Sequence, residues 1–362
     1  MIRLTFLLAL FAGVVAMAIR PEPAPRKRLI EFGWDSPDPH FMRTHIAELQ
    51  ASPFDGCVFH VPYFEPGGRT GDFTWELWGR RRFTRAELDS ARRDLLATRF
   101  GRFRDNFLRV NTTPGNLDWF EDHSAVLSNL ELAASLAREA GAPGVLLDPE
   151  QYQGQLWDYS VQRRATGRNW DQLAAQVRRR GAEVMRALER GYPGLTVFMT
   201  FAYSLPLHET IGGRGALTGA HNGLLAPFLD GMLEAARDST RIVDGHELSY
   251  SYRDPARFAA QADSMRRGVL RLVADPARYR RRMSVGFGIW LDFDSPRTPW
   301  QPAEVSRNYF TPESFGRAVQ AALDNADEYV WIYGEKPRWW TVQGRPQDVP
   351  AAYDSVLRAV RR

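Results

Sequence analysis

Residues 144–152 read Gly-Val-Leu-Leu-Asp-Pro-Glu-Gln-Tyr, so a small residue and three apolar residues lead directly into Asp148 and Glu150. Such a short apolar run is typical of a strand buried on both faces of a parallel sheet. Residues two apart on an extended chain lie on the same side, so these carboxylates are expected to share a face. Barrels and open α/β sheets carry their chemistry at the carboxyl ends of such strands, and the segment therefore predicts an α/β enzyme.

Seven other short apolar runs are spread along the chain, and a helical pattern follows each of the eight. The seven runs are 29–34, 56–61, 106–110, 195–201, 242–247, 283–290 and 329–333. Apolar residues at helical spacing predict helices near 40–50, 85–98, 124–140, 170–190, 223–237, 255–273, 312–325 and 349–360. Regular alternation favours a parallel sheet, and eight units predict an α/β fold of the (β/α)8 TIM barrel type. Extended βα loops are expected after strands 2, 4, 5 and 7.

The N-terminus has the pattern of an export signal. A basic residue precedes an apolar run at 4–15, and small residues at 16 and 18 fit a cleavage site. The run is short for a membrane span, so no stable membrane association is expected after cleavage. We therefore expect a secreted or periplasmic protein with a signal peptide at 1–18, a linker at 19–28 and a single barrel domain at 29–362.

Composition limits the classes of partner. The formal charge is +4, and clusters of arginine fall within or beside helical segments, so we interpret them as solvated faces and expect no nucleic-acid partner. The chain has one cysteine, Cys57, within an apolar run, and we expect a buried structural thiol. Without an intrachain disulfide, an exported protein depends on its core, which suits a large barrel. The oligomeric state stays open.

Acidic and aromatic residues collect where the predicted strands end. In chain order these candidate site residues are Trp34, Asp35, His60, Tyr63, Asn111, Asp148, Glu150, Tyr152, His246, Glu247, Trp290, Asp292, Glu335 and Trp340. A pair of carboxylates beside tryptophans suits glycoside hydrolysis, in which one acid protonates the leaving oxygen and the other stays ionised. Aromatic faces stack on sugar rings and exclude water.

With these residues the chain resembles barrel glycoside hydrolases, which commonly carry a catalytic carboxylate at the end of strand four. The resemblance implies Glu150 as the general acid. Asp148 is expected to orient Glu150 or to raise its pKa by repulsion between like charges. The Asp-x-Glu spacing is also similar to that of barrel chitinases, which use an acetamido group of the substrate, although Val145, Leu146 and Leu147 replace the rest of the acidic chitinase pattern.

The partner of Glu150 is less sharply indicated. Glu335 ranks first as nucleophile or base, because a glycine precedes it and aromatic residues follow it, as in a tight ligand-facing turn. Glu247 ranks second and Asp292 third. The alternative to a catalytic role for Glu335 is a structural one, in which it forms a salt bridge to Lys336 or Arg338.

The remaining candidates are expected to bind the carbohydrate substrate. Trp34, Tyr63, Tyr152, Trp290 and Trp340 are aromatic subsite candidates, Asp35 and Asn111 are polar ones, and His60 and His246 are suited to hold a hydroxyl or tune a carboxylate.

The sequence also leaves other functions open and disfavours several. The first strand lacks the His-x-His pattern of metal-dependent barrels, and no serine nucleophile elbow or phosphate-binding glycine motif is present. No metal and no cofactor are therefore expected. Two alternatives to hydrolysis remain: a non-catalytic carbohydrate-binding barrel, and a polysaccharide lyase with Tyr250 or His246 as base.

Overall fold

The computed structural model describes residues 26–34, 36–210, 216–293, 297–341 and 344–361. All eight predicted strands are present, with ends within a few residues of those expected from the apolar runs. We number them β1 (Arg28–Gly33), β2 (Gly56–Phe59), β3 (Phe107–Asn111), β4 (Gly144–Asp148), β5 (Thr196–Met199), β6 (Arg241–Asp244), β7 (Met283–Val285 and Phe287–Trp290) and β8 (Tyr329–Gly334).

The eight strands are parallel and close into a barrel. Each of β1 to β6 pairs with the next strand in the chain, and β8 pairs with β1. The first segment of β7 pairs with β6 and its second segment pairs with β8. Gly286 joins the two segments and donates its N–H to Asp244 O at 2.8 Å, so the chain passes from one neighbour to the other without leaving the sheet. The (β/α)8 barrel predicted from the sequence is confirmed.

Helices separate the strands, as the apolar spacing predicts. The helices are Pro39–Thr44, Ile46–Ala51, Phe73–Glu76, Asp89–Ala97, Ser124–Glu139, Tyr159–Thr166, Trp170–Gly191, Ser204–Thr210, Leu225–Ala235, Pro255–Arg266, Pro276–Arg282, Pro312–Asn325 and Ala351–Val360. The helix expected at 40–50 is divided at His45, whose backbone leaves the helical region and whose ring stacks on Phe41 with centroids 4.0 Å apart. Caps set other boundaries: Asn169 and Gln172 form a capping box at Trp170–Gly191.

The connections after β2, β4, β5 and β7 carry additional short elements. After β2 comes an antiparallel hairpin of Pro62–Phe64 and Thr70–Asp72, followed directly by the helix Phe73–Glu76. The connection after β4 includes the helix Tyr159–Thr166, and that after β5 includes Ser204–Thr210. These segments lie beyond the carboxyl ends of the strands, where TIM barrels build their sites.

Two hydrophobic layers support the barrel. One lies inside it and comprises Ile30, Phe32, Val58, Phe107, Leu146, Phe198, Val243, Tyr329 and Trp331. A larger layer packs the outward faces of the strands against the helices and includes the buried thiol Cys57. Because strand side chains alternate, the inward row that contains Phe107 and Leu146 continues upward to Asn111 and Asp148.

Some of the sequence predictions concern residues outside the described ranges. The predicted signal peptide and most of the predicted linker, up to residue 25, are not among the described residues, nor is Asp35. Within the described ranges, no helix combines the length and apolar character needed to span a bilayer.

Candidate active site

A cavity of about 300 Å³ opens at the carboxyl end of the barrel. Its lining is mostly aromatic and comes from β1, β3, β4, β8 and the connections after β1, β2 and β4. The lining residues are Phe32, Gly33, Trp34, Trp75, Arg109, Asn111, Asp148, Tyr152 and Tyr333. A concave, apolar site with a few polar groups at its base is the usual form of a small-molecule site.

Asp148 forms the polar base of this cavity and is almost fully buried. Its Oδ2 accepts the amide N–H of Asn111 at 2.7 Å and the hydroxyl of Tyr152 at 3.3 Å, and its Oδ1 accepts the backbone N–H of Glu150 at 3.0 Å. Burial, reinforced by the nearby charge of Glu150, raises the pKa of Asp148 to about 7 despite these donors and the charge of Arg109. Asp148 therefore exchanges protons near neutral pH.

Glu150 lies next to this base and pairs with Glu247, the first residue after the turn that follows β6. The carboxyl groups of Glu150 and Glu247 are hydrogen-bonded to each other, and the hydroxyl of Tyr250 donates to Glu247. Burial, together with the charges of Glu150 and Asp148, raises the pKa of Glu247 well above its usual value. The hydroxyl of Tyr152 also contacts Glu150 and so connects the pair to the cavity.

The turn after β6 is what brings Glu247 to this position. Asp244, at the end of β6, accepts four donors: the backbone N–H groups of Ala202 (3.0 Å), Ser204 (2.9 Å) and His246 (3.3 Å), and the Ser204 hydroxyl (2.8 Å). Glu247 N then bonds to Thr200 O at 2.9 Å. These contacts tie the turn to the neighbouring β5 connection. They hold the backbone of Glu247 in place, and its side chain extends from there toward Glu150.

His246 reverses the chain direction in this turn. Its φ of 41° and ψ of 63° place it in the left-handed region, and it is the one non-glycine residue with positive φ in the described ranges. Its ring is buried between Tyr252 and Phe287, with centroids 6.0 Å from each. Burial lowers the pKa of His246 to about 3, so the imidazole is neutral. The ring anchors the turn in the core and does not reach the cavity.

Tyr250 and aromatic side chains of β7 and β8 form a wall beside Glu247. Tyr250 stacks on Tyr333 with centroids 5.2 Å apart and packs edge-on against Trp290 and Trp331. The Nε1 of Trp331 donates to Gly245 O at 2.8 Å, which fixes the wall to the turn that carries Glu247. Such walls lower the local polarity and so strengthen electrostatic interactions in the site.

The opposite wall depends on Asp72. Its Oδ1 accepts the backbone N–H groups of Thr74 and Trp75, at 2.9 and 3.2 Å, and so caps the short helix that presents the Trp75 ring to the cavity. Its Oδ2 accepts Nη2 of Arg109, on β3, at 3.0 Å. Arg109 thereby holds the hairpin connection against the barrel, and Trp75 packs against Tyr152 with centroids 5.0 Å apart.

Four of the substrate-site candidates and catalytic candidates line the cavity directly: Trp34, Asn111, Asp148 and Tyr152. Trp34 and Tyr152 are exposed at its mouth, with 69% and 49% of their surface accessible. Trp290 lies in the aromatic wall, half-buried. His60 lies near β1, with its Nδ1 bonded to Ser36 O at 2.8 Å.

Other candidates lie in the core. Tyr63 packs under Phe83 and reaches Glu76 with its hydroxyl, and Trp340 packs against Phe54 and Phe103. His246 is buried as described above. Asp35 lies outside the described residues.

Glu335 and Asp292 lie together near β7 and β8. Asp292 is buried and accepts the backbone N–H groups of Glu335 (3.0 Å) and Lys336 (2.9 Å) as well as Nε1 of Trp290 (2.9 Å). Glu335 is half-buried and accepts the hydroxyl of Tyr333 at 3.2 Å. Glu335 is thus next to a cavity residue, whereas the contacts of Glu150 are made with Glu247 and Tyr152.

Sequence reasoning missed five lining residues: Phe32, Gly33, Trp75, Arg109 and Tyr333. Arg109 lies between Phe107 and Asn111 at the period of a strand, so its inward direction was readable once the strand was recognised. Tyr333 lies two residues after the inward-facing Trp331 on β8, so its inward direction could be predicted in the same way. Trp75 carried no such signal, because its position depends on the cap formed by Asp72.

Comparisons with known proteins find similar structures among carbohydrate-active barrels. A glucosidase from Croceicoccus marinus matches with a TM-score of 0.48 and 13% identity, over 93% of this chain and 66% of that chain, so this chain spans about two thirds of its length. A GH18 chitinase from Pseudoalteromonas aurantia matches with a TM-score of 0.40 and 9% identity, over 85% of this chain and 94% of that chain. A GH5-4 broad-specificity endoglucanase from Bacteroides salanitronis matches with a TM-score of 0.41 and 11% identity, over 71% of this chain and 82% of that chain.

All three are glycoside hydrolases, the class that the sequence resembles. No protein-family model matches the chain, and no curated protein matches it. None of the three structures reaches a TM-score of 0.5, so the chemistry has to be inferred from this chain's own residues.

Proposed function

We propose that the protein is a glycoside hydrolase that works with Glu247 as general acid and Glu150 as nucleophile. The observation that carries this proposal is the direct contact between the Glu150 and Glu247 carboxyl groups, beside an aromatic cavity at the carboxyl end of the barrel. Hydrolysis of a glycosidic bond requires one protonated and one ionised carboxyl group. A hydrogen-bonded pair in which one member has a raised pKa meets that requirement.

The direction of the pKa shift supports this division of roles. Burial and the neighbouring carboxylates keep the proton on Glu247, which is then available for the leaving oxygen. In the first step a bond forms between the anomeric carbon and Glu150, the glycosidic bond breaks, and the proton of Glu247 passes to the leaving oxygen. In the second step water attacks the anomeric carbon, its proton returns to Glu247, and Glu150 is released.

The surrounding groups suit a sugar ring. Trp34 and Tyr152 are exposed at the mouth of the cavity, and Trp75 packs beside Tyr152. Aromatic faces of this kind stack on the apolar faces of pyranoses. Asn111 retains an unpartnered Oδ1 at the base, where it is placed to accept a sugar hydroxyl.

This proposal prefers Glu247 to Glu335 as the partner of Glu150. Glu335 contacts Tyr333, while Glu247 contacts Glu150 itself. Glu335→Gln is therefore the matched control, since it removes a half-buried carboxylate near the same cavity.

The test uses single substitutions and a panel of aryl glycosides and polysaccharides, followed by reducing-end release. We expect Glu150→Gln and Glu247→Gln each to lower kcat/KM by at least roughly 100-fold, and Glu335→Gln to change it by less than roughly 10-fold. Thermal unfolding checks that each variant folds.

The alternatives give different results. Loss of activity in Glu335→Gln with normal activity in Glu247→Gln would move the partner role to Glu335. Binding of glycans without turnover by the wild type would indicate a binding barrel. Unsaturated products that absorb in the ultraviolet would indicate a lyase with Tyr250 as base.

We also propose that the protein is exported, because a basic residue, an apolar run and small residues at 16 and 18 occur in that order. Expression of the full chain in a bacterium should yield a protein that begins at Ile19, outside the cytoplasm. A cytoplasmic product that keeps residues 1–18 would contradict this proposal.

A further inference from the structure

We propose that the cavity selects a sugar that carries a carboxylate, and that Arg109 is the residue that recognises this group. The inference rests on the proposed function and specifies its substrate class as acidic glycosides, such as uronides. Arg109 carries no role in the hydrolysis steps described above, and it was not among the residues predicted from the sequence.

Arg109 is the one basic residue among the described residues that line the cavity. Only 14% of its side chain is exposed, and it lies 5.7 Å from the centroid of the Trp75 ring. A cation enclosed by aromatic residues loses much of its hydration, which is costly unless charged or polar partners replace the water. Its surroundings should therefore supply such partners when the site is in use.

The contacts within the protein satisfy only part of the guanidinium. Nη2 bonds to Asp72, whereas the buried Nε has no hydrogen-bond partner. An arginine carries five N–H donors in a planar fork that matches the two oxygens of a carboxylate. The ion pair with Asp72 uses Nη2 of Arg109 and leaves other donors of the guanidinium for a second anionic group.

The neighbours of Arg109 place such a group at the base of the cavity. Asn111 lies two residues further along the same strand face and has an unpartnered, buried Oδ1. Arg109 and Asp148 both line the cavity, and the charge of Arg109 acts to lower the pKa of Asp148. A sugar bound here would direct its carboxylate to Arg109 and a hydroxyl to Asn111, with its ring against Trp75 and Tyr152.

Asp148, Glu150 and Glu247 form an acidic cluster beside the cavity. Repulsion between this cluster and the carboxylate of a bound sugar does not prevent this arrangement at mildly acidic pH. Burial raises the pKa of Asp148 to about 7 and raises that of Glu247 well above its usual value, so both hold protons there. The cluster then carries less negative charge and repels a bound carboxylate less. The preference for acidic sugars should weaken as the pH rises through about 7.

The test measures binding alone. Glucuronate and glucose are titrated separately into the wild-type protein at about pH 5.5, and binding is followed by isothermal calorimetry. We expect glucuronate to bind at least roughly 10-fold more tightly than glucose, which corresponds to one hydrogen bond to a charged group. Arg109→Gln should abolish this difference and leave the affinity for glucose within roughly threefold.

Two control variants separate recognition from support of the fold. Asp72→Asn weakens the ion pair with Arg109 but keeps an Oδ1 to cap the helix that carries Trp75, so the glucuronate preference should persist. Arg93→Gln removes a positive charge from an exposed helix and should change neither affinity, because Arg93 is 69% exposed and pairs with Asp89.

Three outcomes would overturn the inference: equal binding of the two sugars, a glucuronate preference that survives in Arg109→Gln, and loss of the preference in Asp72→Asn to the same degree as in Arg109→Gln. The first leaves the proposed hydrolysis intact if neutral glycosides are cleaved. Conversely, Arg109-dependent binding of glucuronate without cleavage of any glycoside would support this site and remove the proposed function.

Discussion

Replacement of Asp148 by Asn tests whether this buried carboxyl is held near neutrality by its surroundings. Asp148 lies at the base of the cavity with Glu150 beside it, and its pKa is raised from an ordinary value of 3.8 to about 7, first by burial and then by the charge of Glu150. In the unfolded chain neither cause operates, so the group there ionises near pH 4. The folded protein therefore binds a proton that the unfolded chain has released.

The sign of the stability change follows from this difference. Between about pH 4 and pH 7 the folded state binds more protons at Asp148, so the free energy of unfolding of the wild type falls as the pH rises. A shift of about 3 pKa units corresponds to about 4 kcal/mol of destabilisation at and above about pH 7. Below about pH 4 the group is protonated in both states, and this penalty disappears.

Asparagine fits the same position. Its Oδ1 still accepts the N–H of Glu150, as Asp148 does at 3.0 Å. Its amide N–H meets Asn111, whose unpartnered Oδ1 becomes the acceptor when the Asn111 amide rotates by half a turn. The variant thus keeps its hydrogen bonds with Glu150 and Asn111, loses the bond of 3.3 Å that the Tyr152 hydroxyl donates to Oδ2, and loses the buried charge.

Urea denaturation of both proteins at a series of pH values from about 4 to 8 measures the effect. We expect Asp148→Asn to gain stability relative to the wild type as the pH rises, by a few kcal/mol at about pH 8, while its hydrolytic activity falls. Leu146→Ala, on the inner face of the same strand, should give a destabilisation that is independent of pH. An equally pH-independent difference for Asp148→Asn would refute the reasoning.

Two more predictions concern the carboxylate pair and its turn. Glu150 and Glu247 are in hydrogen-bonding contact, so they are much closer to each other than the roughly 6.5–9.5 Å that separates the carboxyl groups of inverting enzymes. Of the two stereochemical outcomes we therefore expect retention, for which ~5 Å is typical. Proton NMR of the first-formed sugar should show the substrate's anomeric configuration, and the opposite anomer would exclude Glu150 as nucleophile. Because His246 has a φ of 41°, His246→Gly should be more stable than His246→Ala by about 1 kcal/mol in urea denaturation, and the reverse order would show that the turn is unstrained.

The barrel was predictable because its signal is local. Each strand is a short apolar run, and each run owes its composition to burial on both faces of a parallel sheet. The run at Gly144–Asp148 and the interrupted run of β7 were both recognisable without tertiary information. What could not be foreseen is that Gly286 divides β7 between two neighbours, because that depends on how the barrel closes.

The site was predictable only in part. Asp148 and Glu150 follow directly from the strand that precedes them. The choice between Glu247 and Glu335 depends on where the chain goes after a strand ends, and for Glu247 this is decided by the left-handed backbone of His246 and by the donors that surround Asp244. Neither the left-handed backbone of His246 nor the set of donors around Asp244 leaves a pattern in the sequence.

Aromatic residues illustrate the same limit. Trp34 and Trp340 both follow barrel strands, yet Trp34 is 69% exposed at the cavity and Trp340 is 2% exposed against Phe54 and Phe103. Residue type alone does not separate a sugar platform from a core residue, because both roles use a large apolar face. The packing of the connections decides which role applies.

The acids at the strand ends divide into two kinds when their hydrogen-bond partners are compared. Asp244 and Asp292 accept donors from the backbone and side chains of adjoining loops, and each holds two segments of the chain together. Glu247 instead shares a hydrogen bond with another carboxyl group, an arrangement that holds nothing in place unless a proton lies between them. The oxygens of Asp244 and Asp292 are thus occupied by donors that connect segments of the fold, whereas Glu150 and Glu247 contact each other. This difference in partners is our reason for proposing Glu150 and Glu247, and not Asp292, as the catalytic pair.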